Sequence, residues 1–74
     1  MKKQNFSNVL IEMDSTKSLQ KLYEMIKHKG ETKIKISINE EEKKYLFELK
    51  DKRKFDYETL KNLNREQFIK KIRV

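Results

Sequence analysis

Thr32-Lys33-Ile34-Lys35-Ile36-Ser37-Ile38 carries the strictest period in the chain. Ile34, Ile36 and Ile38 face one way and Lys33, Lys35 and Ser37 the other, the two-residue repeat of a strand with one buried face. The isoleucine side is therefore the expected floor of the core. Toward the C-terminus, Asn39-Glu40-Glu41-Glu42 is a charged connection of hairpin length. The return strand runs from Lys44 to Lys50, with Tyr45, Phe47 and Leu49 on one face. Leu46 is the apolar exception on the polar side.

Before the isoleucine strand stands Gly30, in the position of a helix C′ residue, where glycine adopts the left-handed conformation at no cost. Ahead of it Leu19, Leu22, Tyr23 and Ile26 fall at i, i+3, i+4 and i+7, one apolar helical stripe. Lys27, His28 and Lys29 fit the last turn, where cations complement the dipole. Asp14-Ser15-Thr16 offers N-caps. Asn8 to Met13 alternates again, with Val9, Ile11 and Met13 on one side. Beyond the hairpin, Asp51 to Lys54 is a charged turn. Asp56 is a cap for a second helix, and Phe55 and Leu60 have the spacing of a hydrophobic staple. Leu60 and Leu63 supply its short stripe.

The tail admits two patterns. Phe68, Ile72 and Val74 alternate as a strand would, with Lys70 breaking the face; Phe68, Ile69 and Ile72 also fit a helix. A strand is favoured because a layer of this kind needs another strand. The expected order is β-α-β-β-α-β, an α+β two-layer sandwich with its helices on one face of an antiparallel-rich sheet. Such an order suits a split-βαβ, ferredoxin-like arrangement. Residues 1–7 are expected as a flexible lead and 8–74 as the single domain.

A chain of 74 residues is one domain and buries only about 60% of its unfolded surface. It has no Cys, so neither disulfides nor thiolate metal sites hold it, and a cytoplasmic setting fits. No apolar run approaches the roughly 20 residues that span a bilayer, so no membrane partner is expected. The net charge of +7 suits a polyanion. The excess is mostly Lys, however, while nucleic-acid readers favour the bidentate fork of Arg. A solvated Lys surface shaped by genome composition is the favoured account of the charge.

Catalytic chemistry finds no candidates. His28 is the sole His and has no base, nucleophile or metal partner by spacing. Glu40-Glu41-Glu42 lacks the Gly and spaced oxygens of a Ca²⁺ loop. A single Gly excludes a P-loop and a dinucleotide fingerprint. No cofactor, metal or catalytic residue is expected. The element order is also that of an RNA-recognition fold, but the third strand lacks the glycine-aromatic signature whose rings stack on bases. Non-specific phosphate contact by Lys33, Lys35, Lys50, Lys71 and Arg73 is what remains of that reading.

Two stretches, Ser18 to Ile26 and His28 to Ile38, carry a resemblance. A helix with Leu19 and Leu22 runs into a Gly, a short connector and an alternating strand. With Leu49 to Asp56, Leu60, Leu63 and a closing strand ending at Val74, the pattern resembles the extreme C-terminal domain of the alpha subunit of bacterial DNA polymerase III. The likeness covers about Val9 to Val74 and rests mostly on apolar positions around one Gly. The chain differs in its Lys content and in Asn64-Arg65-Glu66-Gln67, where members often place a second Gly. The resemblance implies a non-catalytic piece of a DNA-directed DNA polymerase whose catalytic carboxylates lie elsewhere. It implies docking on the tau subunit of the clamp loader, with other replisome or parent-chain domains nearby, and a monomer in isolation. On that reading the partner site is expected in the tail, at Phe68, Ile69, Lys71, Arg73 and Val74. One of Phe68 and Ile69 would point outward beside the cations. The rival expectations are a stand-alone basic module for nucleic-acid phosphates and an oligomerising ferredoxin-like regulatory domain.

Overall fold

A computed structural model describes residues 6–74. The elements are β1 (Asn8–Met13), a 3-10 turn (Thr16–Ser18), α1 (Leu19–Met25), β2 (Lys29–Glu40), β3 (Lys43–Glu48), α2 (Tyr57–Asn64) and β4 (Ile69–Arg73). This is an α+β domain of β-α-β-β-α-β order in two layers, and the tail is a strand.

Within that class the strands lie in the order β3-β2-β1-β4. β1 pairs with β2 in parallel, and both outer pairs, β2 with β3 and β1 with β4, are antiparallel. The β1-α1-β2 unit is thus contiguous where a split arrangement was expected: β3 lies outside β2 instead of between β2 and β1. Side-chain matching explains the order. Val9 stands against Ile34, Ile11 against Ile36 and Met13 against Ile38, and all six are essentially solvent-free. β3 exposes Tyr45 and Leu46, one on each face, and so belongs at an edge, where less of it needs burying.

The core rows run across the whole sheet. Phe47, Ile36, Ile11 and Ile72 form one, and Tyr45, Ile38, Met13 and Ile69 the next. Leu22, Ile26, Phe55 and Leu63 complete the same buried cluster from the helical side. Among the described residues the other sheet face carries no helix.

Three local features depart from the sequence expectation. First, α1 ends at Met25 and β2 begins at Lys29, so Lys27 and His28 lie in a connector. Gly30 sits inside the strand, without positive φ. Its role is close approach: a Cβ there would overlap the backbone of Arg53 and Lys54. The two segments are hydrogen-bonded where they cross, Gly30 N–H to Lys52 O at 3.3 Å and Lys54 N–H to His28 O at 2.8 Å. Arg53 Nη1 also donates to the Ile26 carbonyl at 3.0 Å, satisfying an acceptor at the end of α1. Second, β4 pairs Lys71 with Glu12 and Ile69 with Met13, leaving Lys70 as a bulge. The extra residue lets Ile69 and Ile72, three apart, share the core face. Third, Phe6 and Ser7 belong to the domain and not to a lead. The Phe6 ring meets Phe55 edge-on at 6.0 Å, the Phe6 carbonyl accepts from Thr32 Oγ1, and Ser7 O accepts from Lys33 N–H at 2.9 Å. The rest of the expected lead, 1–5, lies outside the described residues.

The β2-β3 hairpin turns through Glu41 (φ 49°) and Glu42 (φ 69°). Two successive positive φ angles suit a two-residue turn of the primed type, normally filled by Asn and Gly. Asp56 caps α2 as expected, its Oδ1 accepting from Thr59 N–H at 2.9 Å and from Thr59 Oγ1 at 2.9 Å.

Ile36→Ala should cost about 2–5 kcal/mol, because the central row cannot close over the cavity. Lys35→Ala, next in sequence on the other face, should change stability by less than about 0.5 kcal/mol. Gly30→Ala should cost about 1–3 kcal/mol by forcing the crossing backbones apart. Chemical denaturation of the three variants checks the register and the crossing together.

Candidate binding face

The helix-free face is built from the alternate residues of each strand. Glu48, Lys35, Leu10 and Arg73 form one row across it, and Leu46, Ser37, Glu12 and Lys71 the next. Asn39 and Lys44 extend it at one end, Asn8 and Lys33 at the other. Paired residues in neighbouring strands share a face, so these rows are lateral neighbours.

Two carboxylates are embedded among the cations. Arg73 Nε donates to Glu12 Oε2 at 2.8 Å, and this bond holds the Glu12 carboxyl below the ordinary carboxylate range, with Lys71 and Lys44 adding to the effect. Lys33 Nζ stands 3.8 Å from Glu48 Oε2. Among the described residues, Lys35, Lys44 and Lys71 have no carboxylate at ion-pair distance. Between β2, β1 and β4 lies a shallow cleft of about 330 Å³, lined by Asn8, Val9, Leu10, Lys33, Lys35, Arg73 and Val74. It therefore combines three cationic side chains with the aliphatic surface of Leu10 and Val74.

The tail residues expected to form one site are divided by the fold. Lys71 and Arg73 lie on the open face, and Val74, 65% exposed, borders the cleft. Phe68 and Ile69 both pack against the core, so neither is the expected outward anchor. The bulge at Lys70 turns Ile69 inward. Phe68 is covered by Lys21, whose Nζ lies 5.5 Å from the ring centroid while pairing with Glu66 at 3.2 Å. Leu10 and Leu46 are the open-face residues that the tail-centred expectation missed. Their signal was an apolar side chain at the polar phase of a strand.

No aromatic side chain of the described strands joins this face. Tyr45 and Phe47 pair with Ile38 and Ile36 and so lie on the helical side. A base-stacking platform is therefore missing from the face among the described residues.

A second depression, of about 160 Å³, gathers His28, Lys54, Asp56, Glu58, Thr59 and Asn62. The backbone crossing at Gly30 brings His28 beside the start of α2, a proximity that spacing along the chain did not reveal. The Asp56 carboxylate is committed to capping, and its hydrogen bonds from Thr59 lower its pKa from the ordinary 3.8. Among the described residues no group of three or more His, Cys, Asp or Glu side chains is placed to hold a metal ion. No helix among them is long and apolar enough to cross a membrane.

Compared with protein-family models, with curated proteins and with solved structures, the chain matches none.

A depressed pKa in the folded state means that Asp56 contributes stability above its unfolded value of 3.8. That contribution disappears as the pH falls through the lower folded value. Asp56→Ala should cost about 1 kcal/mol near neutral pH. The gap between variant and unmodified protein should begin to narrow below about pH 4, where Asp56 of the unfolded state protonates, and go on narrowing as the pH falls through the lower folded value. Thermal melts across the acid range measure it, and a gap independent of pH would remove the carboxylate from the account.

Proposed function

We propose that the chain is a non-catalytic binding module whose open sheet face receives an acidic segment of a partner protein. The observation that carries this is the cleft in which Lys33, Lys35 and Arg73 stand around Leu10 and Val74. Cations at the rim steer and orient a carboxylate-rich segment. The aliphatic floor offers area for an apolar side chain within it, whose burial adds to the affinity.

The resemblance names the partner to try, the C-terminal region of the clamp-loader tau subunit. In that version the chain is the end of a cytoplasmic DNA-directed DNA polymerase whose catalytic residues lie elsewhere. Its task is to tether the enzyme, making rebinding to the replisome effectively intramolecular. A phosphate-binding role is the second reading, favoured by the unpaired Lys35, Lys44 and Lys71. The want of a stacking surface on this face weighs against base recognition.

Titration of the tau C-terminal region and of a single-stranded oligonucleotide separates the two. Lys35→Glu and Leu10→Ser should each weaken the tau complex at least tenfold, about 1.4 kcal/mol, with circular dichroism unchanged. An oligonucleotide contact should be sensitive to Lys35→Glu and to salt, and indifferent to Leu10→Ser. Oligonucleotide binding stronger than tau binding, with no effect of Leu10→Ser, would transfer the function to nucleic acid. Unchanged tau binding by both variants would move the site off this face.

A further inference from the structure

The sheet has two edges, and their charges differ. β4 presents Lys70, Lys71 and Arg73 along Ile69–Arg73, so a second copy of β4 laid against it would bring cation to cation. β3 reads Lys43-Lys44-Tyr45-Leu46-Phe47-Glu48. Leu46 is 63% exposed and Tyr45 43% exposed, Phe47 is half-buried, and among the described residues no strand covers the outer edge.

The hydrogen-bonding phase of that edge follows from one bond. Leu49 N–H donates to Ile34 O at 2.9 Å, so the odd-numbered residues of β3 turn their backbone groups toward β2. Alternation leaves the N–H and C=O of Lys44, Leu46 and Glu48 pointing outward. An antiparallel partner strand must meet these three. If the partner is a second β3 and the two sheets keep their helices on the same side, pairing is restricted to even-numbered residues against even-numbered residues. Centred on Leu46, that pairing sets Leu46 against Leu46 of the other copy, Lys44 against Glu48, and Tyr45 against Phe47. Every outward backbone group is then used, two bonds per pair. Each lateral neighbour is complementary: opposite charges on the open face, aromatic on aromatic on the helical face. Moving the register two residues one way sets Glu48 against Glu42, and the other way Lys44 against Lys50.

We infer that the chain forms a two-fold dimer through antiparallel pairing of β3 with β3 of a second copy, centred on Leu46. This differs from the monomer expected from the sequence and is independent of the acidic-segment reading. It doubles the sheet and sets two basic open faces side by side. An exposed edge strand is a template for pairing, and a two-fold contact closes at two copies without growing into a filament.

Charge reversal tests the register directly. Lys44→Glu alone places carboxylate against Glu48 of the other copy, and Glu48→Lys alone places ammonium against Lys44. Each single variant of the 74-residue chain should dissociate at least tenfold more readily by sedimentation equilibrium. An equimolar mixture of the two restores both opposite-charge contacts and should recover the dimer as a heterodimer. A second measurement does not depend on charge. The chain has no Cys, so Leu46→Cys should form an intermolecular disulfide on oxidation, the Cα separation of about 5.5 Å in such a pair being within disulfide range. Tyr45→Cys, which faces Phe47, should cross-link far less. Unmodified protein that sediments as a monomer with no Leu46→Cys cross-link would overturn the inference. A dimer indifferent to both charge reversals, or a mixture that fails to reassociate, would do so equally.

Discussion

The parallel contact between β1 and β2 is the constraint on which the rest of the domain depends. Val9, Ile11 and Met13 meet Ile34, Ile36 and Ile38 residue for residue, and none of the six is more than 2% exposed. Parallel neighbours cannot be joined by a tight turn. The chain between them must cross over one face of the sheet, which puts α1 above the isoleucine row. Once the two most apolar strands occupy the centre, β3 and β4 are left for the edges. α2 then carries the chain from one edge to the other over the same face, burying Leu63 and leaving the opposite face uncovered among the described residues.

A second, smaller constraint ties the two halves of the chain together. The backbone around Lys29 and Gly30 crosses that of Lys52 to Lys54 at a distance only glycine permits. Arg53 reaches from this crossing to the terminal carbonyl of α1. The end of the first helix is thereby fixed by the segment leading into the second, which explains why α1 stops at Met25 although its apolar stripe continues to Ile26. The same crossing sets His28 beside Asp56 and Glu58.

What the sequence disclosed was local, and what it concealed was not. The alternation of Asn8 to Met13 and of Thr32 to Ile38, the cap at Asp56 and the return strand are each written in a few consecutive residues. Strand order is written nowhere locally: the same β-α-β-β-α-β string serves a split sheet and a contiguous one. The choice rests on which strands can bury both neighbours. Gly30 was ambiguous for a related reason, since a helix cap and a backbone crossing both demand glycine and only the partner segment distinguishes them. Lys70 broke the tail's alternation visibly, but a bulge and a helix give the same break. The candidate site suffered most. One of Phe68 and Ile69 was expected to point outward because the tail carried more apolar residues than one regular strand can bury; both are half-buried against the core, and the bulge is the device that turns Ile69 inward.

The charge of the chain takes on a different meaning once placed. Lys-rich composition alone spreads cations over all solvent-facing positions, and α1 and α2 carry their share at Lys21 and Lys61. On the open face the pattern is more specific. Both carboxylates there, Glu12 and Glu48, are engaged by Arg73 and Lys33, which holds the cation side chains at defined positions beside Leu10. Composition bias explains why the cations are Lys. It does not explain why two leucines occupy the polar phase of β1 and β3, one at the cationic cleft and one on a free edge. Those two exceptions to the alternation are the residues on which the two proposals rest: Leu10 at the centre of the face, where the proposed partner segment would lie, and Leu46 at its margin, where the proposed second sheet would join.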